Sequence, residues 1–204
     1  DWEAPEGDWN IYRFGYTVFA QDRPDPFSRE SLDLHLKESV EKLIPLAGRH
    51  VGKTWTHMQL DSWENSCSTW TPQFLGEFRG RRGYEMIPWM PVLAGRVVGS
   101  KALSDRFLHD YRRTISDLIV ENHFRYWTNR LHEMGLKFTT QGAYGYRPAI
   151  VDGLAAFGAA DIPQCEFWHV QRHPVTGNIL EKQFEFRAFD WNVPNAERSF
   201  TFCR

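Results

Sequence analysis

Strand-like and helix-like segments alternate along most of this chain, and that alternation is the feature that most restricts its fold. Strand-like runs show a period of two, whereas helix-like runs carry apolar residues three or four positions apart. The predicted strands cover residues 10–20, 54–64, 135–141 and 160–168, and the predicted helices cover 28–48, 72–82, 100–134 and 151–157. Strands separated by helices predict a parallel sheet, open or closed.

Several predicted helix ends carry residues that are common at helix termini. Thr71 and Pro72 form the hydroxyl cap and first-turn proline that commonly begin a helix, which Gly83 should end. The prolines and glycines that follow predict an irregular segment. Ser100 should then cap the long helix, which ends at Gly135 and bends or breaks near 122–123.

The long helix carries an apolar face, to which Leu103 also belongs, and a charged face. If it covers the outside of the sheet, the apolar face should be buried and the charged face should meet water. The residues predicted to be buried are Phe107, Tyr111, Ile115 and Leu118, and those predicted to be exposed are Arg106, Arg113, Asp117 and Glu121.

Residues 55–64 contain two tryptophans, Trp55 and Trp63, and end in two carboxylates where a turn should begin. Alternation within this run places Asp61 and Trp63 on one side and Glu64 on the other. Carboxylates beside flat aromatic surface are typical of sites that bind or cleave sugars. The alternative is a strand end that merely carries a solvated glutamate.

The next two predicted strands also end in polar or aromatic side chains. Gln141 and Tyr144 follow the strand at 135–141 and could bind hydroxyl groups, or could form a polar turn. Glu166, Trp168 and His169 end the strand at 160–168, where the histidine could contact substrate or simply pack. Polar groups at several strand ends are the habit of (β/α)8 barrels, so we expect a partial TIM-barrel-like parallel sheet with outer helices. A nucleotide-binding open sheet lacks support, because the chain has no GxGxxG or GxxxxGK[ST] motif.

Composition excludes several classes of function. The net charge of -2 leaves no electrostatic footprint for nucleic acid or for an anionic membrane. Aromatic residues make up 15% of the chain, and sugar-binding surfaces use tryptophans for stacking. Trp63, Trp70 and Trp168 could stack on a sugar or could belong to the core. The 3 cysteines have no paired spacing, which gives no zinc or redox motif. His35 and His57 are too isolated to predict a metal site.

A set of short motifs makes the chain recognisable. They are DSWE at 61–64, WTP at 70–72, RRGY at 81–84, LAGRVVGS at 93–100, SDRFL at 104–108, RRTI at 112–115, GLKF at 135–138, ADIP at 160–163 and EFW at 166–168. In this order, over about residues 9–170, they resemble the catalytic barrel of glycoside hydrolase family 106, the α-L-rhamnosidases. The combination is specific, although no single motif is.

The resemblance implies an inverting glycosidase that acts on terminal α-L-rhamnose in oligosaccharides, polysaccharides or glycosides. Glu64 matches the glutamate of the family's DSWE-like motif, Glu166 that of its EFW motif, and Glu197 a third glutamate near an Ala-Glu-Ser-Phe-Thr-like motif. The resemblance also implies a calcium ion that helps to hold the sugar hydroxyls, and it favours a secreted or periplasmic location. Asp61, Trp63, Gln141, Tyr144, Trp168 and His169 are the expected substrate-binding residues.

The resemblance weakens after about residue 183. The family pattern calls for an alanine-rich helix and a hydrophobic strand there, and residues 184–194 fit neither, so we treat 184–204 as a divergent tail. A complete barrel takes roughly 250 residues, so residues 1–204 are expected to form a single, incomplete barrel domain with open sheet edges. The alternative to a catalytic fragment is a carbohydrate-binding remnant that keeps the site's rim without turnover. An unrelated lectin-like sandwich lacks the required β patterning.

Overall fold

The computed structural model describes residues 3–16, 24–61, 63, 68–142, 150–172 and 179–187, and for 165–172 and 179–187 it describes the backbone only. The helices are α1 Arg29–Glu38, α2 Val40–Ala47, α3 Phe74–Arg82, α4 Lys101–Ile119, α5 Tyr126–Glu133 and α6 Gly153–Gly158. The strands are β1 His57–Leu60, β2 Lys137–Thr140, β3 Ile162–Arg172 and β4 Ile179–Arg187. Two 3-10 helices, Gly48–His50 and Ile87–Ala94, and a π-helical segment, Val120–Arg125, complete the described elements.

The strands form one sheet in the order β1-β2-β3-β4. β1 pairs with β2 in parallel, from His57 opposite Lys137 to Leu60 opposite Thr140, and β2 continues the parallel pairing into β3. The prediction of a parallel sheet with intervening helices is confirmed for these three strands. β4 differs, because it runs antiparallel to β3 over the whole of its length.

The first residues of the predicted divergent tail lie in the antiparallel strand. Residues 184–187 belong to β4, where the sequence Phe-Glu-Phe-Arg has the alternation of a strand. β4 follows β3 closely along the chain and returns beside it, as antiparallel neighbours do. The family pattern called for an alanine-rich helix and a hydrophobic strand, whereas residues 184–187 alternate apolar and charged side chains.

The predicted first strand is wrong for its described part. Residues 10–16 form neither helix nor strand, and 17–20 lie outside the described residues. Ile11 is 75% exposed and Tyr16 is 64% exposed, so these side chains gain no burial. Aromatic and β-branched residues favour a strand only where a partner strand or a packed face receives them.

The first predicted helix divides into α1 and α2. Ser28 caps α1 as expected, with its hydroxyl accepting the Ser31 N–H. At Ser39 the backbone leaves helical geometry, and the Ser39 hydroxyl donates to the carbonyl of His35 at 2.6 Å. A serine that bonds back to the preceding turn competes with the helical ladder, which accounts for the break.

Thr71 lies three residues before the first residue of α3. Its hydroxyl donates to the carboxylate of Asp25 at 2.8 Å, and α3 begins only at Phe74. Gly83 ends α3 in the left-handed conformation, as predicted. The segment expected to be irregular contains the 3-10 helix Ile87–Ala94, with Pro88 in its first turn and Pro91 inside it.

The long predicted helix is real, and it changes geometry where a bend was expected. The Ser100 hydroxyl accepts the Leu103 N–H, and α4 leads through Val120–Arg125 into α5. Of the predicted apolar set, Phe107, Ile115 and Leu118 are buried and Tyr111 is half-buried. Leu103 is instead 41% exposed, in the first turn.

The charged face of this helix is less exposed than predicted. Arg106 and Arg113 are exposed, whereas Asp117 and Glu121 are half-buried. Arg113 forms an ion pair with Asp117 at 3.0 Å and covers part of its side chain, which explains the difference for that residue.

The chain divides into two compact units, and the division falls within α4. One consists of Asp1–Arg23 and Pro72–Tyr111, and the other of Pro24–Thr71 and Arg112–Arg204. The first has an aromatic core in which Phe78 contacts Tyr84 and Phe107. The second contains the sheet. No helix of the described chain is long and apolar enough to cross a membrane.

Candidate active site

One face of the parallel strands carries polar side chains toward their carboxyl ends. Pairing places Gln59 of β1 opposite Thr139 of β2. One residue past the last mutual pairing of the three strands come Asp61, Gln141 and Gln164, and the Gln141 N–H extends the ladder to the carbonyl of Leu60 at 3.3 Å. Since side chains two apart on a strand share a face, these five residues form what we call the polar row.

Helices cover the other face of the strands. Phe138 is fully buried, and its ring stacks on that of Trp127 in α5 at 6.0 Å between centroids. The Thr128 hydroxyl of α5 donates to the carbonyl of Ala159, just after α6, at 2.6 Å. One face is therefore packed with apolar groups while the polar row occupies the opposite face.

The polar row combines one carboxylate with neutral hydrogen-bonding groups. Gln59 Nε2 donates to Asp61 Oδ1 at 3.1 Å, and both side chains are exposed. Gln141 and Gln164 are almost completely buried, at 2% and 1% exposure. Hydroxyl-rich neutral molecules are the ligands that such amides and a carboxylate bind most readily.

Three polar atoms of the row are buried without a partner among the described residues: both amide atoms of Gln164 and the Thr139 hydroxyl oxygen. Each buried polar group that makes no hydrogen bond lowers the free energy of unfolding by about 1–3 kcal/mol. Unsatisfied buried groups are rare in proteins and require an explanation such as a bound molecule or a functional role. Gln164 is the residue here that sequence reasoning missed, and aligning the strand ends by register would have found it.

Trp63 lies immediately beyond β1 and is held at two points. Its backbone N–H donates to the carbonyl of Gly142 at 2.8 Å. Its indole ring meets His123 edge-on at 4.9 Å and lies 5.9 Å from the ring of Phe124. The side chain is half-buried, so it combines a packing role with a remaining exposed surface.

His123 occupies the π-helical segment and was also missed as a site residue. Burial, and secondarily the proximity of His35, lowers its pKa to about 3, so the imidazole is neutral in the folded protein near pH 7. Its Nε2 atom has no hydrogen-bond partner in the described part of the chain. The signal in the sequence was a histidine on the apolar face of the long helix, a position that ordinarily holds a core residue.

The remaining predicted site residues fall into two groups. Glu64, Tyr144 and Glu197 lie outside the described residues. Glu166, Trp168 and His169 lie in β3, where the backbone alone is described, and Glu166 is two positions beyond Gln164. The structure therefore brings Asp61, Trp63 and Gln141 into one region.

Metal ligation has little support from the described side chains. Within the described ranges, no group of three or more His, Cys, Asp or Glu residues could hold a metal ion. His57 Nδ1 contacts the Thr56 hydroxyl at 2.7 Å, and His35 meets Trp127 edge-on at 6.0 Å. Calcium prefers six to eight oxygen ligands, and of the polar row only Asp61 offers a carboxylate.

Comparison with known proteins gives concordant results. The family model for glycoside hydrolase 106, described as alpha-L-rhamnosidase, matches residues 1–188. A protein of Formosa agariphila that carries the provisional name beta-glucuronidase is 32% identical over 179 residues, which is 82% of this chain and 15% of that protein. The solved structure of a rhamnosidase from Novosphingobium sp. PP1Y matches with a TM-score of 0.62 and 36% identity, covering 67% of this chain and 13% of that one. The chain thus spans less than a sixth of the length of these two relatives.

Proposed function

Because the chain belongs to glycoside hydrolase family 106, the α-L-rhamnosidase family, we propose that the protein containing it hydrolyses terminal α-L-rhamnosyl residues of oligosaccharides, polysaccharides or glycosides. The observation that carries the proposal is the polar row at the carboxyl ends of three parallel strands. Sites of glycosidases with parallel strands are built at that edge. Membership of the family supports a glycosidase activity. The identity of the sugar, α-L-rhamnose, is what the proposal adds.

The polar row supports a neutral sugar over a uronic acid. None of its residues, Gln59, Asp61, Thr139, Gln141 and Gln164, carries a positive charge. A glucuronide's carboxylate would meet the negative charge of Asp61 without a cation from the row to offset it. Rhamnose offers hydroxyl groups and a methyl group for recognition. Amides and a carboxylate can hydrogen-bond the hydroxyl groups, and the Trp63 ring can pack on the apolar part of the sugar.

We propose an inverting mechanism in which Glu64 and Glu166 are the two glutamates, with the acid and base roles unassigned. Glu64 directly follows Trp63 at the exit of β1, and Glu166 lies in β3, two strands away. Adjacent strands lie about 4.8 Å apart, so β1 and β3, which flank β2, are separated by about 9.6 Å. Inverting enzymes need roughly 6.5–9.5 Å between carboxyl groups, to leave room for the attacking water. Glu197 remains the third proposed catalytic residue.

We further propose that the substrate-binding residues are Asp61, Trp63, Gln141, Tyr144, Trp168 and His169, to which the buried amide of Gln164 is added. Amides that can donate and accept at once match adjacent sugar hydroxyls. Gln141 and Gln164 come from neighbouring strands, at positions one residue past the Thr140–Pro163 pairing. Their backbones are therefore neighbours in the sheet.

For the fold, we propose that the sheet is part of a (β/α)8 barrel and that residues 1–204 form one incomplete barrel domain with a divergent tail at 184–204. The parallel pairing of β1, β2 and β3 and the helix packed on one face of these strands support this. The antiparallel β4 is an addition to the barrel pattern.

Calcium is a further proposal. The Asp61 carboxylate and the amide oxygens of Gln141 and Gln164 are the oxygen donors that calcium favours, yet the described residues alone do not complete a site. Bound calcium would supply positive charge to hold sugar hydroxyls. Thermal unfolding of the full-length protein with EDTA, with added calcium and with added magnesium tests this, and equal transition temperatures would rule it out.

The test of function uses the full-length protein and two chromogenic substrates, p-nitrophenyl α-L-rhamnoside and p-nitrophenyl β-D-glucuronide. We expect release from the rhamnoside, with β-L-rhamnose as the first anomer detected by proton NMR. Glu64→Gln should abolish turnover, whereas Glu85→Gln, at an exposed ion pair with Arg79, should not. Release from the glucuronide alone would overturn the proposed substrate. Rhamnose binding without turnover would favour a carbohydrate-binding remnant.

A further inference from the structure

We propose that Thr140 is a positioning residue, whose buried hydroxyl fixes the turn that holds Gln141 and Trp63 in place for substrate binding. The proposal rests on the proposed function, which assigns Gln141 and Trp63 to the substrate. It adds a residue that does not belong to the polar row and that the sequence patterns did not single out.

Thr140 acts through other residues, because its own side chain is closed off from any substrate. It is the last residue of β2 and is fully buried. It follows Phe138 by two positions, so the two side chains share a face of the strand. The ring of Phe138 stacks on Trp127 of α5, which makes this the packed face and not the face of the polar row.

The hydroxyl of Thr140 closes a short turn at the exit of β2. The N–H of Gly142 donates to the Thr140 hydroxyl oxygen at 3.0 Å, and the bond is buried. A threonine that accepts the N–H two residues on forms a side-chain-closed turn, and Gln141 is the residue enclosed by it. Without the hydroxyl, the Gly142 N–H would be left buried and unpaired, which favours a change in the turn.

The same turn is bonded to the exit of β1. The Gln141 N–H donates to the carbonyl of Leu60 at 3.3 Å, and the Gly142 carbonyl accepts the Trp63 N–H at 2.8 Å. A rearrangement of the peptide groups at 141–142 would therefore move the Gln141 side chain and also the acceptor that holds Trp63. Hydrogen bonds behind the groups that touch a ligand are what keep a binding site in its productive geometry.

The experiment compares Thr140→Val, which removes the hydroxyl and keeps the side-chain shape, with Thr140→Ser, which keeps the hydroxyl. Both are made in the full-length protein and assayed with p-nitrophenyl α-L-rhamnoside. Because the two supported residues are assigned to binding, Thr140→Val should raise KM about tenfold and leave kcat within about threefold. Thr140→Ser should keep both within about threefold of the wild type. If the valine variant does not fold, Thr140→Ala replaces it, since it also lacks the hydroxyl.

Loss of stability alone is controlled by Thr128→Val. The Thr128 hydroxyl donates to the carbonyl of Ala159 at 2.6 Å, so this variant also removes a buried hydroxyl bond, but in the helical layer. It should lower the transition temperature and leave KM unchanged. The inference is overturned if Thr140→Val has the KM of Thr128→Val, or if Thr140→Ser is as impaired as Thr140→Val.

Hydrogen exchange tests the same inference without a substrate. In Thr140→Val the amides of Gly142 and Trp63 should exchange about tenfold faster than in the wild type, whereas Thr128→Val should leave them unchanged. Unchanged exchange in Thr140→Val would overturn the inference. A wild-type protein that cleaves neither the rhamnoside nor the glucuronide would defeat the proposed function, and the exchange rates would still decide the role of Thr140.

Discussion

The backbone N–H of Trp63 donates to the carbonyl oxygen of Gly142 at 2.8 Å, which joins the exit of β1 to the exit of β2. Gly142 has a φ of 69°, in the left-handed region that favours glycine. Its own N–H donates to the Thr140 hydroxyl at 3.0 Å. The left-handed conformation of Gly142 therefore accompanies a hydrogen bond that holds the ends of β1 and β2 together, next to the polar row.

Gly142→Ala should destabilise this junction. An added Cβ would lie 2.7 Å from the Phe157 ring and would also require an unfavourable φ. We expect a loss of about 2 kcal/mol or more in the free energy of opening of β1 and β2, measured by hydrogen exchange of their amides in the full-length protein. Gly80→Ala in α3, where nothing lies within 4 Å, is the control and should be neutral or stabilising. Unchanged exchange in the Gly142 variant would contradict the prediction.

His123 should impose a pH dependence on stability. An unfolded histidine takes up a proton near pH 6.5, whereas burial keeps the folded His123 neutral down to about pH 3. Between these values the unfolded state binds one more proton, so this contribution is complete above pH 6.5 and is lost as the pH falls. The loss amounts to at most about 1.4 kcal/mol per pH unit and ends near pH 3.

His123→Phe should remove that slope. Transition temperatures of the full-length protein, measured between about pH 4 and pH 7, should fall less steeply with decreasing pH in the variant. His109→Gln, at an exposed position, should leave the slope in place. Parallel curves for the wild type and His123→Phe would mean that the imidazole is not the source.

Local signals predicted the parts of the fold that local physics determines. Gly83 ends α3 and Ser100 caps α4 because those conformations and hydrogen bonds involve neighbouring residues. The parallel pairing of β1, β2 and β3 followed from the alternation of strands and helices. α3 begins three residues after Thr71, whose hydroxyl donates to Asp25, 46 residues away in the sequence. Residues 10–16 failed as a strand because propensity does not supply a partner.

Sequence patterns predicted only those site residues that lie at the ends of strand-like runs. Asp61 and Gln141 were found because each lies at or near the end of a strand-like run. Gln164 lies inside the predicted strand after Pro163, so its place beside Gln141 required the register between strands. Predicting His123 as a site residue would have required its contact with Trp63, 60 positions away in the sequence, and no local pattern contains that contact. The catalytic roles of Glu64, Glu166 and Glu197 remain predictions.

Arg130 should contribute more to stability than an ordinary surface cation. Its guanidinium contacts Asp33 of α1 and Glu41 of α2, each at 3.0 Å, and also Glu133. A lysine offers one ammonium group and cannot span these carboxylates. We expect Arg130→Lys to lower the opening free energy of α1 and α5 by about 1 kcal/mol, as seen by hydrogen exchange, because the side chain is only partly shielded from solvent.

Lys42 provides the contrast for that measurement. It pairs with Glu38 four residues earlier, and both side chains are more than half exposed. Lys42→Ala should change the same opening free energies by less than about 0.5 kcal/mol. Equal effects of the two substitutions would show that the three-carboxylate arrangement around Arg130 adds nothing beyond an exposed pair.

Gln164 should separate stability from activity. Its amide is buried with both polar atoms unpartnered among the described residues, so Gln164→Leu removes an unsatisfied group and should raise the transition temperature of the full-length protein. If the amide binds a sugar hydroxyl, the same substitution should lower kcat/KM on p-nitrophenyl α-L-rhamnoside by tenfold or more, since a lost hydrogen bond to substrate costs about 1.4 kcal/mol or more. Thr139→Val is the matched control, because Thr139 faces the same side but lies farther from the strand ends, and its hydroxyl oxygen is also unpartnered in the described part of the chain. It should gain stability and keep its activity. A Gln164→Leu variant that is more stable and equally active would show that this amide has no part in binding the substrate.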